Sequence, residues 1–384
     1  MTPSPLGRQR AAATLVRWLG PWAGVAVPPD VRRTSLVLGR TAPGAPPVRA
    51  SLYEPASGRS LGAYLVSPGL HYAGPDDPRH DRFCRVLATA GFSVLSPFLH
   101  DFLGLRVAPA AIDELALGFR ALRDLAAQRR LPRPGVFSIS FGSLPALALG
   151  AHPEHGPEVG ALVLFGGYAE FRAAIRFALS GRAYASDGAR VSVPYDPSNA
   201  PAVFVNLATL LDVPGDRALL ARAWVELCQR TWGRRETWPR ARRLALAEPL
   251  AARLPAALRE LFWIGTGLET GGEALLEAAL ARRPDAFAFA EAPRYAARVS
   301  APVAVVHGRD DDVIPWPEAE KLHAALPHDV DKEVLLTGIY AHNRASVPGA
   351  GALAREVAAL ARVVYALVDG GTEGLGRLGR ERAP

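Results

Sequence analysis

Apolar positions along the chain recur with two different periods. Around 31–38, 48–54, 62–67, 92–95, 136–139 and 161–165 they form short runs of strand length. Between them, 81–90, 109–128 and 141–149 carry apolar residues at helical spacing. In 109–128 these are Ile112, Leu115, Phe119, Leu122 and Leu125, which share one face. The first two runs are expected to pair antiparallel. The later runs are apolar throughout and alternate with amphipathic helices, which implies parallel strands joined by crossover helices and buried on both faces. After 165 the alternation stops. From Tyr168 to about Ala297 there is little strand signal, and helical stretches at 218–231, 256–263 and 273–282 are separated by proline-bearing turns. The alternation resumes with a strand at 302–306, a helix at 317–325, a strand at 333–336 and a closing helix at 350–368.

This pattern divides the chain. Residues 1–30 are an N-terminal extension, 31–167 and 298–369 an α/β core, 168–297 a helical insertion, and 370–384 a Gly- and Arg-rich tail expected to be disordered. Composition changes the picture little. With 49% hydrophobic and 21% charged residues among 384, the chain can bury a large core and is not a disordered one. The formal charge of +7 comes almost wholly from arginine, the lysines being Lys321 and Lys332. These cations are spread along the chain, mixed with acids and unaccompanied by a nucleic-acid motif, so no nucleic-acid partner is expected. Cys84 and Cys228 are far apart and in no metal or redox spacing; they read as buried free thiols and fit a cytoplasmic setting. The apolar run at 11–19 follows Arg8 and Arg10 and is interrupted by Arg17, too short and too broken to span a membrane. A helix with Leu15, Trp18 and Leu19 on one face has two readings: packing on its own domain, or weak association with a membrane surface.

Candidate chemistry concentrates in Ser138-Ile139-Ser140-Phe141-Gly142, at the junction of the strand at 136–139 and the helix behind it. A nucleophile there sits on a sharp turn that lifts its hydroxyl above the sheet, and small residues two before and two after relieve the crowding. The following helix aims free N–H groups at the same point. A simple helix N-cap is the other reading of Ser140. A serine nucleophile needs a base, and the base an orienting acid, following in the order acid then histidine at the ends of later strands. Asp310-Asp311-Asp312 stand at the end of the strand at 302–306, and one or two of them would serve as helix caps. His342 stands in a Gly-bearing loop after the next strand, the position that the other eight histidines lack. Two backbone donors should complete the site: Phe141 N–H, and Leu70 N–H from the loop 67–74, where Gly69 lets the backbone turn in close. His71 and Asp76 also match the His-x4-Asp pattern of glycerolipid acyltransferases, a short pattern whose context is missing here.

These residues carry a resemblance. The strand–Ser-x-Ser-x-Gly–helix unit, and His307-Gly308-Arg309-Asp310-Asp311 running on to Pro315, are similar to the nucleophile and acid loops of the α/β-hydrolase fold superfamily, in its lid-bearing esterase, lipase and peptidase-like branch. The family usually has Gly where this chain has Ser138, and His-Gly where it has Pro68-Gly69. The resemblance covers roughly 31–167 and 300–368 and implies a mostly parallel central sheet flanked by helices, with 168–297 as a helical lid. It places the acid three residues after Gly308, at Asp311, leaving Asp312 near the next helix and Asp310 toward solvent. It implies a serine hydrolase acting on an ester, thioester or amide through an acyl-enzyme, carboxylesterase-like; the large apolar residues of the insertion, among them Phe171, Phe177, Trp224 and Trp263, favour apolar substrates. Acyl transfer on the same fold, and a non-enzymatic binding protein, are the alternatives. No metal and no cofactor are expected.

Overall fold

The computed structural model describes residues 4–20, 24–338, 340–341, 344–345 and 353–372. In chain order, helix α1 (Pro5–Leu19) precedes strands β1 (Val31–Gly39), β2 (Val48–Pro55) and β3 (Gly62–Ser67). Helix α2 (Pro78–Thr89), strand β4 (Phe92–Pro97), the short α3 (His100–Leu103) and α4 (Ala110–Gln128) follow. Then come β5 (Gly135–Ile139), α5 (Ser143–Gly150) and β6 (Leu162–Phe165). The insertion holds α6 (Phe171–Ser180), a small hairpin of β7 (Ala183–Tyr184) and β8 (Arg190–Val191), α7 (Ala200–Leu207), α8 (Arg217–Thr231), α9 (Arg240–Ala252), α10 (Ala256–Gly265), α11 (Gly272–Arg282) and α12 (Pro293–Ala296). The core resumes with β9 (Val303–Gly308), α13 (Pro317–Ala325), β10 (Lys332–Thr337) and α14 (Leu353–Thr372).

Eight strands form one sheet in the order β1-β2-β4-β3-β5-β6-β9-β10. β2 runs antiparallel to β1 and to β4, and every pairing from β4 to β10 is parallel. This is the α/β-hydrolase arrangement. Its consequence for function is geometric: β5, β9 and β10 all end on the same edge of the sheet, so the residues that follow them can meet.

The period of two along each strand sorts side chains to two faces. Leu65, Val136, Leu164 and Val305 point to one apolar cluster, shared with α4, α5 and the insertion. Tyr64, Val66, Phe137 and Val163 point to another, shared with α1, α2 and α14. α1 belongs to this second cluster through Ala11 and Leu15, both buried. Among the described residues, no helix is long and apolar enough to cross a membrane.

Two boundaries differ from the expected ones. α2 starts at Pro78 rather than 81, because Asp77 caps it: its Oδ1 accepts from Arg79 and His80 N–H at 2.9 and 3.4 Å. α14 runs through Gly370 and Gly371 to Thr372, past the point where the tail was expected to begin. These glycines press on the sheet; a Cβ on Gly371 would stand 2.5 Å from Phe92 and 2.6 Å from Tyr64. Glycine stands at these helical positions because nothing larger fits between the helix and the sheet. Residues 373–384 lie outside the described residues.

Candidate active site

The turn after β5 is strained. Ser140 has φ +53°, one of three non-glycine residues with positive φ among those described. Such a conformation costs about 1–3 kcal/mol and is held only where its surroundings fix it. They do so here by close approach. A Cβ on Gly142 would lie 2.4 Å from the Pro68 carbonyl oxygen and 2.8 Å from that of Ser67, and Ser67 Oγ donates to the Gly142 carbonyl at 2.9 Å. A Cβ on Gly69 would lie 3.5 Å from Ser140 Cβ. The loop after β3 therefore packs directly against the elbow, and at position 142 only glycine permits it. Ser138 is fully buried.

Ser140 opens onto a cavity of about 410 Å³. Leu70 and Phe141 line it as well, and neither of their N–H groups has a partner among the described residues. One wall is built by the insertion, through Phe171, Ile175, Ala178, Ala202 and Val203. The other is built by Phe83, Phe137, Val363 and Leu367 on the α2–α14 side of the sheet. The lining is mainly apolar.

The acid loop after β9 places its three aspartates differently. Asp310 is exposed. Asp311 is 1% exposed; its Oδ1 accepts from Val313 and Ile314 N–H, both at 2.9 Å. Its Oδ2 lies 3.5 Å from His307 Nε2, which also donates to the Ile314 carbonyl at 2.9 Å. This fixes the carboxylate rigidly beside Val313, itself a cavity residue. Asp312 does not cap a helix. α13 begins only at Pro317, and Asp312 is turned inward, 2% exposed, with its Oδ2 3.4 Å from Arg235 of the insertion. Its carbonyl accepts from Asp196 N–H at 3.0 Å, a second tie to the insertion.

His342 lies outside the described residues. What precedes it is anchored: Glu356 on α14 accepts from Thr337 Oγ1 at 2.8 Å and from Gly338 N–H at 2.9 Å. Tyr340–Ala341 pairs antiparallel with Arg344–Ala345.

His71, singled out in the sequence by the His-x4-Asp pattern, also lines the cavity. His71 does not pair with Asp76, which reaches out to Arg33. His71 instead sits 3.4 Å from Asp77 and accepts from Ala73 N–H through Nδ1 at 3.2 Å. Burial holds the His71 pKa below its ordinary value, so it stays neutral near pH 7. Asp196, Asn199 and Trp232 reach the cavity from the insertion. Only the tertiary packing of the insertion brings them there, so no local motif could have marked them.

No protein-family model and no curated protein matches the sequence. Among solved structures the chain is similar to an acylaminoacyl peptidase of Pyrococcus horikoshii, with 9% identity and a TM-score of 0.48 over 92% of this chain and 43% of that one. It is similar to a Pyrobaculum calidifontis esterase at 16% identity and TM-score 0.45, over 94% and 91% of the two chains. Brefeldin A esterase, a bacterial homologue of human hormone sensitive lipase, gives 15% identity and TM-score 0.47 over 97% and 87%. The chain spans less than half the length of the peptidase.

Proposed function

We propose that this chain, which has the α/β-hydrolase fold, is a serine hydrolase that cleaves an ester, thioester or amide, with carboxylic esters of apolar chains as its best-fitting substrates. One observation carries the reading: Ser140 is held at φ +53° on a strand-to-helix turn, facing a mainly apolar cavity, with a rigidly bonded buried aspartate on the same sheet edge. A serine that only capped a helix would need neither the strain nor the cavity.

In this mechanism His342 takes the Ser140 hydroxyl proton as Oγ attacks the substrate carbonyl carbon. The carbonyl π electrons move onto oxygen, and Phe141 and Leu70 N–H receive the resulting oxyanion; one such donor contributes on the order of 10²–10³ in rate. Asp311 accepts from the other imidazole nitrogen, fixing the tautomer and stabilising the imidazolium. Collapse of the intermediate breaks the bond to the leaving group, which takes the proton from His342. Water then attacks the acyl-enzyme along the same path, releasing the acid and restoring Ser140.

The test is covalent and kinetic. A fluorophosphonate probe should label the wild type at Ser140 and leave Ser140→Ala unlabelled. Ser140→Ala should lower turnover of nitrophenyl esters by on the order of 10⁶ with the fold intact. An alanine variant that retains more than a few per cent of activity refutes the assignment.

A further inference from the structure

The wall that the insertion contributes to the cavity is mainly apolar, and its polar side chains include Asp196 and Asn199 just before α7 and Asn206 near the end of that helix. Two of these three have their hydrogen bonds filled. Asp196 Oδ1 accepts from Ser198 N–H at 2.8 Å and from Ser198 Oγ at 2.6 Å. Asn206 accepts from Val107 N–H at 2.8 Å and donates to the Leu105 and Ala202 carbonyls at 2.9 and 2.8 Å. Asn199 is different. It is 6% exposed, and its Nδ2 has no partner among the described residues. It occupies the N-cap position of α7, yet its side chain makes no capping bond. A buried amide nitrogen without a partner beside a cavity is unfavourable on its own, since buried polar groups in native proteins are otherwise paired.

We infer that Asn199 is a specificity-determining residue, whose amide hydrogen-bonds a second, uncharged oxygen function in the substrate. This rests on the serine-hydrolase reading and narrows it: the preferred esters carry a hydroxyl, oxo or amide oxygen along an otherwise apolar chain. The class follows from the surroundings. An amide both donates and accepts, so it serves a hydroxyl or a carbonyl whichever end faces the cavity. Asn199 carries no charge to pair with an anion, and the Asp196 carboxyl stands in the same wall. A plain alkyl chain fills the apolar lining but leaves the amide without a partner, and a site built to bond an oxygen discriminates against the analogue that lacks it.

The experiment compares the kcat/KM of nitrophenyl octanoate with that of nitrophenyl octanoates bearing a single hydroxyl or oxo group at successive positions. The expected result is that the wild type favours one oxygenated ester by about 10-fold or more over octanoate. In Asn199→Leu that ratio should fall to about one or below. Asn199→Ser, smaller and still polar, is measured in parallel, so a leucine variant that fails to fold does not remove the test; its ratio should fall between the two. Equal ratios across wild type and variants, the result expected if water alone fills the position, overturn this inference and leave the hydrolase reading standing. A wild type that neither hydrolyses any of these esters nor takes up the fluorophosphonate overturns both.

Discussion

Gly142 decides whether Ser140 can hold its conformation. A methyl group on Gly142 would meet backbone oxygens on two sides, and backbone cannot rotate away as a side chain can. Gly142→Ala should therefore cost about 1–3 kcal/mol in urea unfolding. By pushing the loop at 67–70 off the elbow, it should also lower turnover in the protein that remains folded. Unchanged turnover would mean that this loop supplies nothing to the reaction. The three aspartates give a second test at this scale. Asp311→Asn should cost roughly 10⁴ in turnover, the loss expected when the orienting acid no longer fixes the tautomer. Asp310→Asn, on an exposed side chain, should leave turnover within a factor of two or so of wild type. A crippled Asp310→Asn beside a normal Asp311→Asn would show the acid misassigned. The strained turn at Ser140 was legible in the sequence because its signal is local, small residues on either side of a strand end, whereas Asp311 was singled out among three neighbouring aspartates only by the resemblance. The setting of Asp312 was not legible, because its partner Arg235 lies in the insertion, far along the chain.

At the scale of elements, the question is what holds the insertion to the core. Glu318 at the start of α13 accepts from Ala169 and Glu170 N–H at 3.1 and 2.8 Å, and Glu291 accepts from Phe171 N–H at 2.9 Å. Two carboxylates thus hold the entry to α6, whose next turns line the cavity. At the other side, Arg235 and Asp196 grip Asp312, and Arg235 lies over the Trp238 ring at 4.5 Å. The ion pair ties the insertion to the loop that carries Asp311. Because the Arg235 side chain is 44% exposed, solvent screens it, and a double-mutant cycle of Arg235→Ala with Asp312→Asn should give a coupling of about 1 kcal/mol or less in stability. Arg235→Ala should lower turnover more than that stability loss explains, since the acid loop loses one of its braces. A coupling of zero with unaltered turnover would mean the contact does nothing. The long periodic segments were readable: the helix expected at 109–128 is observed as Ala110–Gln128, and the first two strands pair antiparallel as their pattern implied. α3, a single turn, and the glycine-bearing end of α14 were not, because both are set by what they pack on rather than by periodicity.

For the molecule as a whole, the sheet is covered on both faces, and that burial carries consequences for pH. The ordering of strands into one doubly covered sheet was legible, since uniformly apolar runs can only be satisfied there. The ionisation of groups caught underneath was not, since it depends on depth. His80 on α2 is the clearest case. It is buried, and its Nε2 stands 2.8 Å from Ser96 Oγ, which itself donates to the Val66 carbonyl at 2.9 Å. The imidazole is thus a neutral donor, and burial lowers its pKa from 6.5 to about 4, with Asp77 and Asp81 opposing. Because the folded pKa lies below the unfolded one, the unfolded chain binds the proton first. The stability tied to His80 is therefore complete above pH 6.5 and drains away as pH falls toward 4. At 1.36 kcal/mol per unit, the whole effect is about 3 kcal/mol. A neutral glutamine can donate to Ser96 in the same way but does not titrate. His80→Gln should consequently be less stable than, or equal to, wild type at pH 7.5, and should lose about 2–3 kcal/mol less than wild type when urea unfolding is repeated at pH 4.5. Carboxylates held low by arginine, such as Glu54 and Asp77, also lose stability in acid, but they do so in both proteins and cancel in the difference. If the two proteins lose equal stability over that interval, His80 is not the group through which acid loosens the α2 face of the sheet.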